Sequence, residues 1–317
     1  MATDQAAEVF DDLRPYLHGV AYRLTSSWAD AEDVVADAWA RWSGHAESVD
    51  DPRAWLTRVV ARLAVDHLRS ARVRRESYVG PWLPEPVITV PSPGASAPID
   101  PLDALVADES VRLAFLVVLD RLSAEQRVAI VLHDVLGLDF AGVAGVLGCS
   151  VGAARQHASR GRRRIDSAHP PRRVAADLGW QVLGELTAAL REGDTGRLVR
   201  ILAPEVVLTA DGGGRVTAAG RPIAGATEVA RFLLGLVALA DRHGSAFSIE
   251  PVRVNGDPGF VLHLDSPRPR DPRTAVYGYA VRDGVVAAIY AVLAPDKLTR
   301  IPRRVAASPR ASTPPRS

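Results

Sequence analysis

Arginine at helical spacing is the chemistry that this sequence offers most clearly. Between Arg58 and Arg75 six arginines stand against one acid, Asp66, and between Arg155 and Arg173 seven stand against Asp166. Guanidinium forks match phosphate oxygens and guanine edges, so two such clusters in a chain of net charge +1 point to two separate polyanion contacts. Arg58, Arg62, Arg69 and Arg72 recur at i, i+4, i+11 and i+14, a stripe that can track phosphates along one helix side. Gln156, Ser159, Arg160 and Arg163 recur at i, i+3, i+4 and i+7, a face that fits a major groove. A third charged face is acidic: Asp30, Asp33 and Asp37, with Arg41, fall on one helix side at steps of three and four. A merely solvated surface is the plain alternative for each of these faces.

The elements that must carry these faces are legible. Residues 8–77 read as helices, one with Ala31, Val35, Ala38 and Trp42 beside the acidic edge. The next is announced by Asp51 as N-cap and Pro52 at the first helical position. Its apolar stripe holds Trp55, Leu56, Val59, Val60 and Leu63, which places Trp55 in the core rather than on a base-stacking surface. From Tyr78 to Pro101 seven prolines exclude regular helix and make a linker, in which Trp82 and Leu83 call for a surface to lie on. Helices resume and end in a helix-turn-helix pattern. Asp139 caps a helix whose Phe140, Val143, Ala144 and Leu147 share a face, Gly148 to Ser150 turn, and Ser150 caps a helix with Val151, Ala154, Ala158 and Ile165 inward. Gly142 and Gly145 soften the first of these helices, and Gly152 and Gly161 the second at its ends. After Pro170 and Pro171 come helical runs and then short strand-like runs, SIEPVRVNG, GFVLHLD, AVYGYAVRDG and VVAAIYAVL, which read as an α+β unit with a curved antiparallel sheet. The last residues hold five arginines and no acid among prolines and serines, the composition of a disordered tail.

At 317 residues, with 47% hydrophobic and 24% charged side chains, the chain suits two or three globular domains. One cysteine, Cys149, excludes an intrachain disulfide or a multi-cysteine metal site and fits a reducing compartment. No apolar run is long enough for a membrane helix and the N-terminus lacks a signal pattern, so a cytoplasmic location is expected. Asp211, His263, Tyr277 and Tyr279 are candidate acid/base groups in the strand-rich part, yet no cluster has metal-ligand spacing and no cofactor is called for. The loop ADGGGR, with Asp211, Gly212, Gly213, Gly214 and Arg215, suits close backbone approach; it lacks the lysine and threonine of a phosphate-binding P-loop.

The order of these features resembles that of bacterial extracytoplasmic-function sigma factors, the promoter-recognition subunits of RNA polymerase. DAEDVVADAWARW and DDPRAWLTRVVARLAVDHLRSARVRRE are similar to sigma region 2, and LSAEQRVAIVLHDVLGLDFAGVAGVLGCSVGAARQHASRGRRR to region 4. YVGPWLPEP, ADGGGR and APDKL resemble the three signatures of the subgroup with a SnoaL-like C-terminal extension, the last with Ala294 in place of the usual asparagine. The resemblance implies a multidomain chain: region 2 over 1–77, the linker over 78–101, region 4 over 102–168, a SnoaL-like α+β cone over 175–298 and a basic tail over 299–317. It implies that Asp30, Asp33 and Asp37 dock on core RNA polymerase. Arg58, Arg62, Arg69 and Arg72 would hold promoter DNA near the minus-10 element, where the loop from Ser43 to Asp50 captures an unstacked base. Arg155, Gln156, Ser159 and Arg160 would read the minus-35 element, with Arg162, Arg163 and Arg164 nearer phosphates. Trp82, Leu83, Glu85, the glycine loop from Asp211 to Arg215, Asp296 and Lys297 would join the extension to the sigma part as a regulator in cis, with no separate anti-sigma protein required and with a cavity open to a small ligand. A ligand-sensing helix-turn-helix regulator, and an enzyme fused to a DNA-binding module, are the competing classes. The first leaves residues 28–75 unused and the second lacks a catalytic set.

Overall fold

The structure, a computed structural model, describes residues 2–89, 108–171 and 173–301, and the side chains of all of these except 2, 3 and 71–76. The Arg72 side chain, linker residues 90–101 and the basic tail beyond Ile301 therefore lie outside the described residues.

Three helices open the chain: α1 (Ala2–Thr25), α2 (Trp28–Trp42) and α3 (Pro52–Glu76). Ser27 caps α2 by accepting from the Asp30 amide at 3.1 Å, and Asp51 caps α3 by accepting from Ala54 N at 2.9 Å. Helix α2 buries Ala31, Val34, Val35, Ala38 and Trp42, which turns Asp33 and Asp37 outward. Trp55 is half-buried with its ring 5.7 Å from that of Trp42, so it closes the core wall as its stripe position implied.

The second helical unit contains α4 (Leu113–Leu119), α5 (Ala124–Ala129), a wide π-type turn over Ile130–Val135, α6 (Phe140–Leu147) and α7 (Val151–Ala168). Asp139 accepts from Gly142 N at 2.8 Å, Gly148 turns the chain at φ 64°, and Ser150 accepts from Ala153 N at 3.1 Å. Two expectations are corrected. Val151 is 38% exposed, because it occupies the first position of α7, outside the packed Ala154 and Ala158. Gly161 lies inside the helix, where a Cβ would come within 2.8 Å of Ile130 Cγ1, so its bareness permits a close helix crossing. Buried side chains of both units, Leu17, Leu56 and Val60 with Leu116, Ile130, Val143 and Ala154, form one continuous core.

The C-terminal unit adds α8 (Ala176–Glu192), α9 (Thr195–Ile201), β2 (Leu202–Asp211), β3 (Ile223–Ala224), α10 (Ala226–Arg242), β4 (Ala246–Val254), β5 (Asp257–Asp265), β6 (Thr274–Arg282) and β7 (Val285–Val292). The linker supplies β1 (Ile88–Thr89), and the sheet order is β1-β4-β5-β6-β7-β2-β3. The sheet is mixed rather than antiparallel throughout, since β2 runs parallel to β7. Strand β2 enters directly from α9, so it is not tied to β7 by a hairpin.

Period-two alternation divides the sheet residues between two cores. Phe260, Tyr277 and Tyr279 face the unit's own helices, with Val182, Leu186, Val229 and Leu233. Val252, Val254, Val276, Tyr290 and Val292 face the other way, onto Leu83 of the linker and Leu113 of α4. Among the described residues no helix is long and apolar enough to cross a membrane.

Gly259 has no room for a side chain: a Cβ there would lie 2.5 Å from the Tyr277 carbonyl oxygen and 2.6 Å from Val254 Cγ2. Gly259→Ala is therefore expected to destabilise the chain by about 1–3 kcal/mol, read as a lower urea midpoint with unchanged slope. An unchanged midpoint would show that the sheet gives way freely at this point.

Candidate interdomain and nucleic-acid sites

Strand β2 ends on Asp211, whose carboxylate is wholly buried. Oδ1 accepts from the Tyr78 hydroxyl at 2.6 Å and from Gly213 N at 3.1 Å, while Oδ2 accepts from Leu83 N at 2.8 Å and from Lys297 Nζ at 2.7 Å. Lys297 also donates to the Leu83 carbonyl at 2.5 Å and stands 3.9 Å from the Trp82 ring centroid, a cation–π contact. All three sequence signatures thus meet on one ion pair. The glycines are required by this approach. Gly213 has φ 60° and a Cβ on it would lie 3.2 Å from both the Tyr78 hydroxyl and Ala294 Cβ; Gly214 has φ 71°, with Val79 Cβ at 3.0 Å. A Cβ on Gly212 would lie 2.8 Å from the Val216 carbonyl oxygen. Ala294 has no amide side chain to offer; its backbone N–H, like that of Leu293, donates to the Asp211 carbonyl, at 2.9 and 2.8 Å respectively. Arg215 and Asp296 are exposed at the rim. Burial and the adjacent Asp211 carboxylate push the Tyr78 hydroxyl well above its ordinary range.

Glu85 does not join this cluster. Its carboxylate caps α2, accepting from Trp28 N at 2.8 Å, Ala29 N at 3.2 Å and Ser27 Oγ at 3.2 Å. Its backbone N–H donates to Ser26 O at 2.9 Å, and its carbonyl accepts from the Tyr22 hydroxyl at 2.7 Å. Burial raises its carboxyl above the usual range against the pull of these donors. From the other side Arg127, 2% exposed, donates to the Arg23 carbonyl at 3.0 and 3.2 Å and to Ser26 Oγ. The α1–α2 corner is held by the linker and by the second helical unit together.

Several residues of this junction escaped the sequence reading. Asn255 and Gly256, with φ 52° and 82°, form the two-residue turn from β4 to β5. The Asn255 side chain is wholly buried: Nδ2 donates to Tyr22 OH and to Val111 O, each at 2.7 Å, and Oδ1 accepts from Val87 N at 3.1 Å. One amide thereby touches α1, the linker and the second helical unit. Beside it Asp257 accepts from Arg112 Nε at 2.8 Å and Arg173 Nε at 3.3 Å. The Asn-Gly pair between two strand-like runs signalled the turn, but nothing in the sequence said what the turn would touch.

The charged helix faces differ in their freedom. On α3, Arg62 donates to Gly145 O of α6 at 2.9 Å and Arg69 pairs with Glu125 of α5 at 3.6 Å, whereas Arg58 is exposed. On α7, Arg155, Gln156, Ser159, Arg160 and Arg163 are exposed along one side, while Arg162 donates to Asp134 at 2.8 Å. On α2, Asp33 and Asp37 are exposed, Asp30 is half-buried, and Glu32 on the same helix pairs with Arg300. The candidate acid/base groups do not converge. Asp211 is engaged as above, His263 alternates with Phe260 and Leu262 to the opposite sheet face, and Tyr277 and Tyr279 pack on Phe260 at centroid distances of 4.7 and 5.7 Å. Burial pushes the Tyr277 hydroxyl up to about 12. The cavity beside Tyr279 has a volume of about 10 Å³, room for about one water rather than for a small ligand.

The Sigma-70 region 2 family matches residues 9–74 and the Sigma-70 region 4 family matches residues 112–165. The chain is 45% identical over 302 residues to the ECF RNA polymerase sigma factor SigJ of Mycobacterium tuberculosis, covering 92% of this chain and 93% of that protein. It belongs to the extracytoplasmic-function sigma factors. The SigJ crystal structure superposes with a TM-score of 0.74 at 40% identity, over 92% of this chain and 98% of that one. The probable ECF sigma factor SigI of the same species is 33% identical over 216 residues, covering 68% of this chain and 72% of that protein. Helices α1–α3 thus carry sigma region 2 and α4–α7 carry region 4, with the mixed-sheet unit packed on both.

Asp211→Ala removes the carboxylate paired at 2.7 Å with the nearly buried Lys297 ammonium, and is expected to destabilise the chain by about 3 kcal/mol in urea unfolding. A loss below about 1 kcal/mol would mean that water replaces the carboxylate readily. Glu85, raised by burial, binds its proton more tightly in the folded chain. Its contribution to stability is therefore full below the ordinary glutamate value and falls as pH rises through the raised one. Glu85→Gln should flatten the stability-against-pH curve in that window; an unaltered slope would contradict the assignment.

Proposed function

We propose that this sigma factor binds core RNA polymerase through Asp30, Asp33 and Asp37 of α2 and directs it to promoters, with the C-terminal unit controlling access in cis. Region 2 comprises residues 1–77, region 4 residues 102–168 and the regulatory unit residues 175–298. One observation carries the reading: Arg62 and Arg69 of α3, themselves exposed, pair with Gly145 and Glu125 of region 4, while Arg155, Gln156, Ser159, Arg160 and Arg163 line one exposed side of α7.

The two promoter elements lie apart on DNA, so regions 2 and 4 must separate before both can be gripped. In the closed arrangement the exposed Arg62 and Arg69 are paired with Gly145 of α6 and Glu125 of α5, partners that compete with phosphates for the guanidinium groups. Separation opens a shared apolar core, which is unfavourable in water and must be offset by docking on the polymerase. The Asp33 and Asp37 carboxylates supply charge complementarity for that docking and speed encounter. Arg58, Arg62, Arg69 and Arg72 then hold the DNA backbone at the minus-10 element. Arg155, Gln156, Ser159 and Arg160 reach base edges at the minus-35 element, with Arg163 on phosphates and Arg162 joining it once released from Asp134. Trp82, Leu83, Asp211, the glycines, Arg215, Asp296 and Lys297 fasten the regulatory unit, and Glu85 sets the entry of α2.

The test is reconstitution. Core polymerase with the full chain should initiate at new, defined start sites in run-off transcription, and Asp211→Ala should change the output while leaving the start position unaltered. Absence of any new start site would overturn the sigma reading; unchanged output from Asp211→Ala would overturn control in cis.

A further inference from the structure

Asn255 is the one asparagine in 317 residues, and glycine follows it. An Asn-Gly step is the sequence most open to spontaneous deamidation, because an unhindered glycine amide nitrogen can reach the asparagine side-chain carbonyl. Here the side chain is held away from that reaction by partners that belong to other modules: Tyr22 of region 2, Val87 of the linker and Val111 at the entry to region 4. Every side-chain hydrogen-bonding position used is filled, at 2.7 to 3.1 Å, and none of the residue is exposed. Neither β4 nor β5 supplies one of these three side-chain bonds. Val87 adjoins β1 of the same sheet, so it is the two bonds to Tyr22 and Val111 that depend on the helical units remaining against the sheet.

We propose that Asn255 is a modification site gated by this assembly: closed, the amide persists; opened, it converts to aspartate or isoaspartate, and the product disfavours reclosure. The Gly256 backbone nitrogen attacks Asn255 Cγ, the bond from Cγ to Nδ2 breaks, and Nδ2 departs as ammonia with the proton that Gly256 gives up. Water then opens the cyclic imide at either carbonyl, and no oxidant or cofactor is involved.

The consequence for closure follows from the same contacts. Aspartate at this position faces the Val111 carbonyl and a Tyr22 hydroxyl that already donates to the Glu85 carbonyl, so a buried charge meets acceptors where the amide supplied two donors. Isoaspartate lengthens the main chain inside a two-residue turn whose register pairs Val254 with Asp257. Either product favours the open form, so one opening long enough to react leaves a lasting mark. That the modules part on polymerase rests on the function proposed above; the gating of Asn255 by Tyr22 and Val111 does not.

Mass spectrometry of the full-length chain, incubated at mildly alkaline pH, reads the amide-to-acid conversion at Asn255 without competing asparagines. The folded chain should convert at least about tenfold more slowly than the same chain unfolded in urea, with Tyr22→Phe between the two. Equal rates folded and unfolded, or Tyr22→Phe equal to the parent, would overturn the proposal. Asn255→Asp provides a second arm: it should melt at lower temperature and give a larger radius by small-angle scattering, and a chain as stable and compact as the parent would overturn the claim about reclosure. Core polymerase should accelerate conversion in the parent. With the chain-alone results as expected, no acceleration would count against the parting of regions 2 and 4 and not against the modification site.

Discussion

A wholly buried carboxylate is tolerated only where its charge and its lone pairs are met, and Asp211 meets that constraint with groups from two distant stretches of chain and from its own loop. The Tyr78 hydroxyl and Leu83 amide come from the linker, the Gly213 amide from the adjacent loop and the Lys297 ammonium from beyond the last strand. The linker is thereby fixed to the end of β2, its Leu83 is pressed into the sheet and its Glu85 arrives at the first turn of α2.

The second constraint is apolar. The outer face of the sheet is covered by Leu83 and Leu113, and the cores of regions 2 and 4 are continuous. Opening the molecule therefore exposes surface in two places at once, and the polar junctions at Arg127, Asn255 and Asp257 are lost with it. Separation of the units thus forfeits polar and apolar contacts together. In the C-terminal unit Tyr277 packs on Phe260 inside the sheet-helix core, and Asp211 is engaged by the interdomain ion pair with Lys297.

Much of this was legible beforehand because helices advertise themselves locally. Asp51, Asp139 and Ser150 cap the helices that their spacing announced, and the outward face of α7 is the one that periodicity selected. The meeting of Tyr78–Pro86, Asp211–Arg215 and Ala294–Leu298 was anticipated only through family resemblance. Destinations were less accessible. Glu85 was placed with the glycine loop, yet a carboxylate is equally suited to a helix N-terminus, and only the folded path of the linker decides between them. Arg62, Arg69 and Arg162 read as phosphate contacts, whereas Gly145, Glu125 and Asp134 hold them. Asn255 stands at the end of the strand-like run SIEPVRVNG, and an Asn-Gly pair there is a turn signal that carries no information about what the side chain touches. The parallel placement of β2 beside β7 depends on a helix-to-strand entry that alternation cannot reveal.

The central claim, that regions 2 and 4 are held together by the C-terminal unit and part on the polymerase, is tested most directly by a distance. Cys149, the native thiol in the region 4 turn, and a second cysteine at exposed Ser43 of region 2 can carry a donor and acceptor pair. One short distance is expected in the free chain, a longer one on adding core polymerase, and a mixture of the two in free Asp211→Ala. A single distance common to all three samples would contradict the claim.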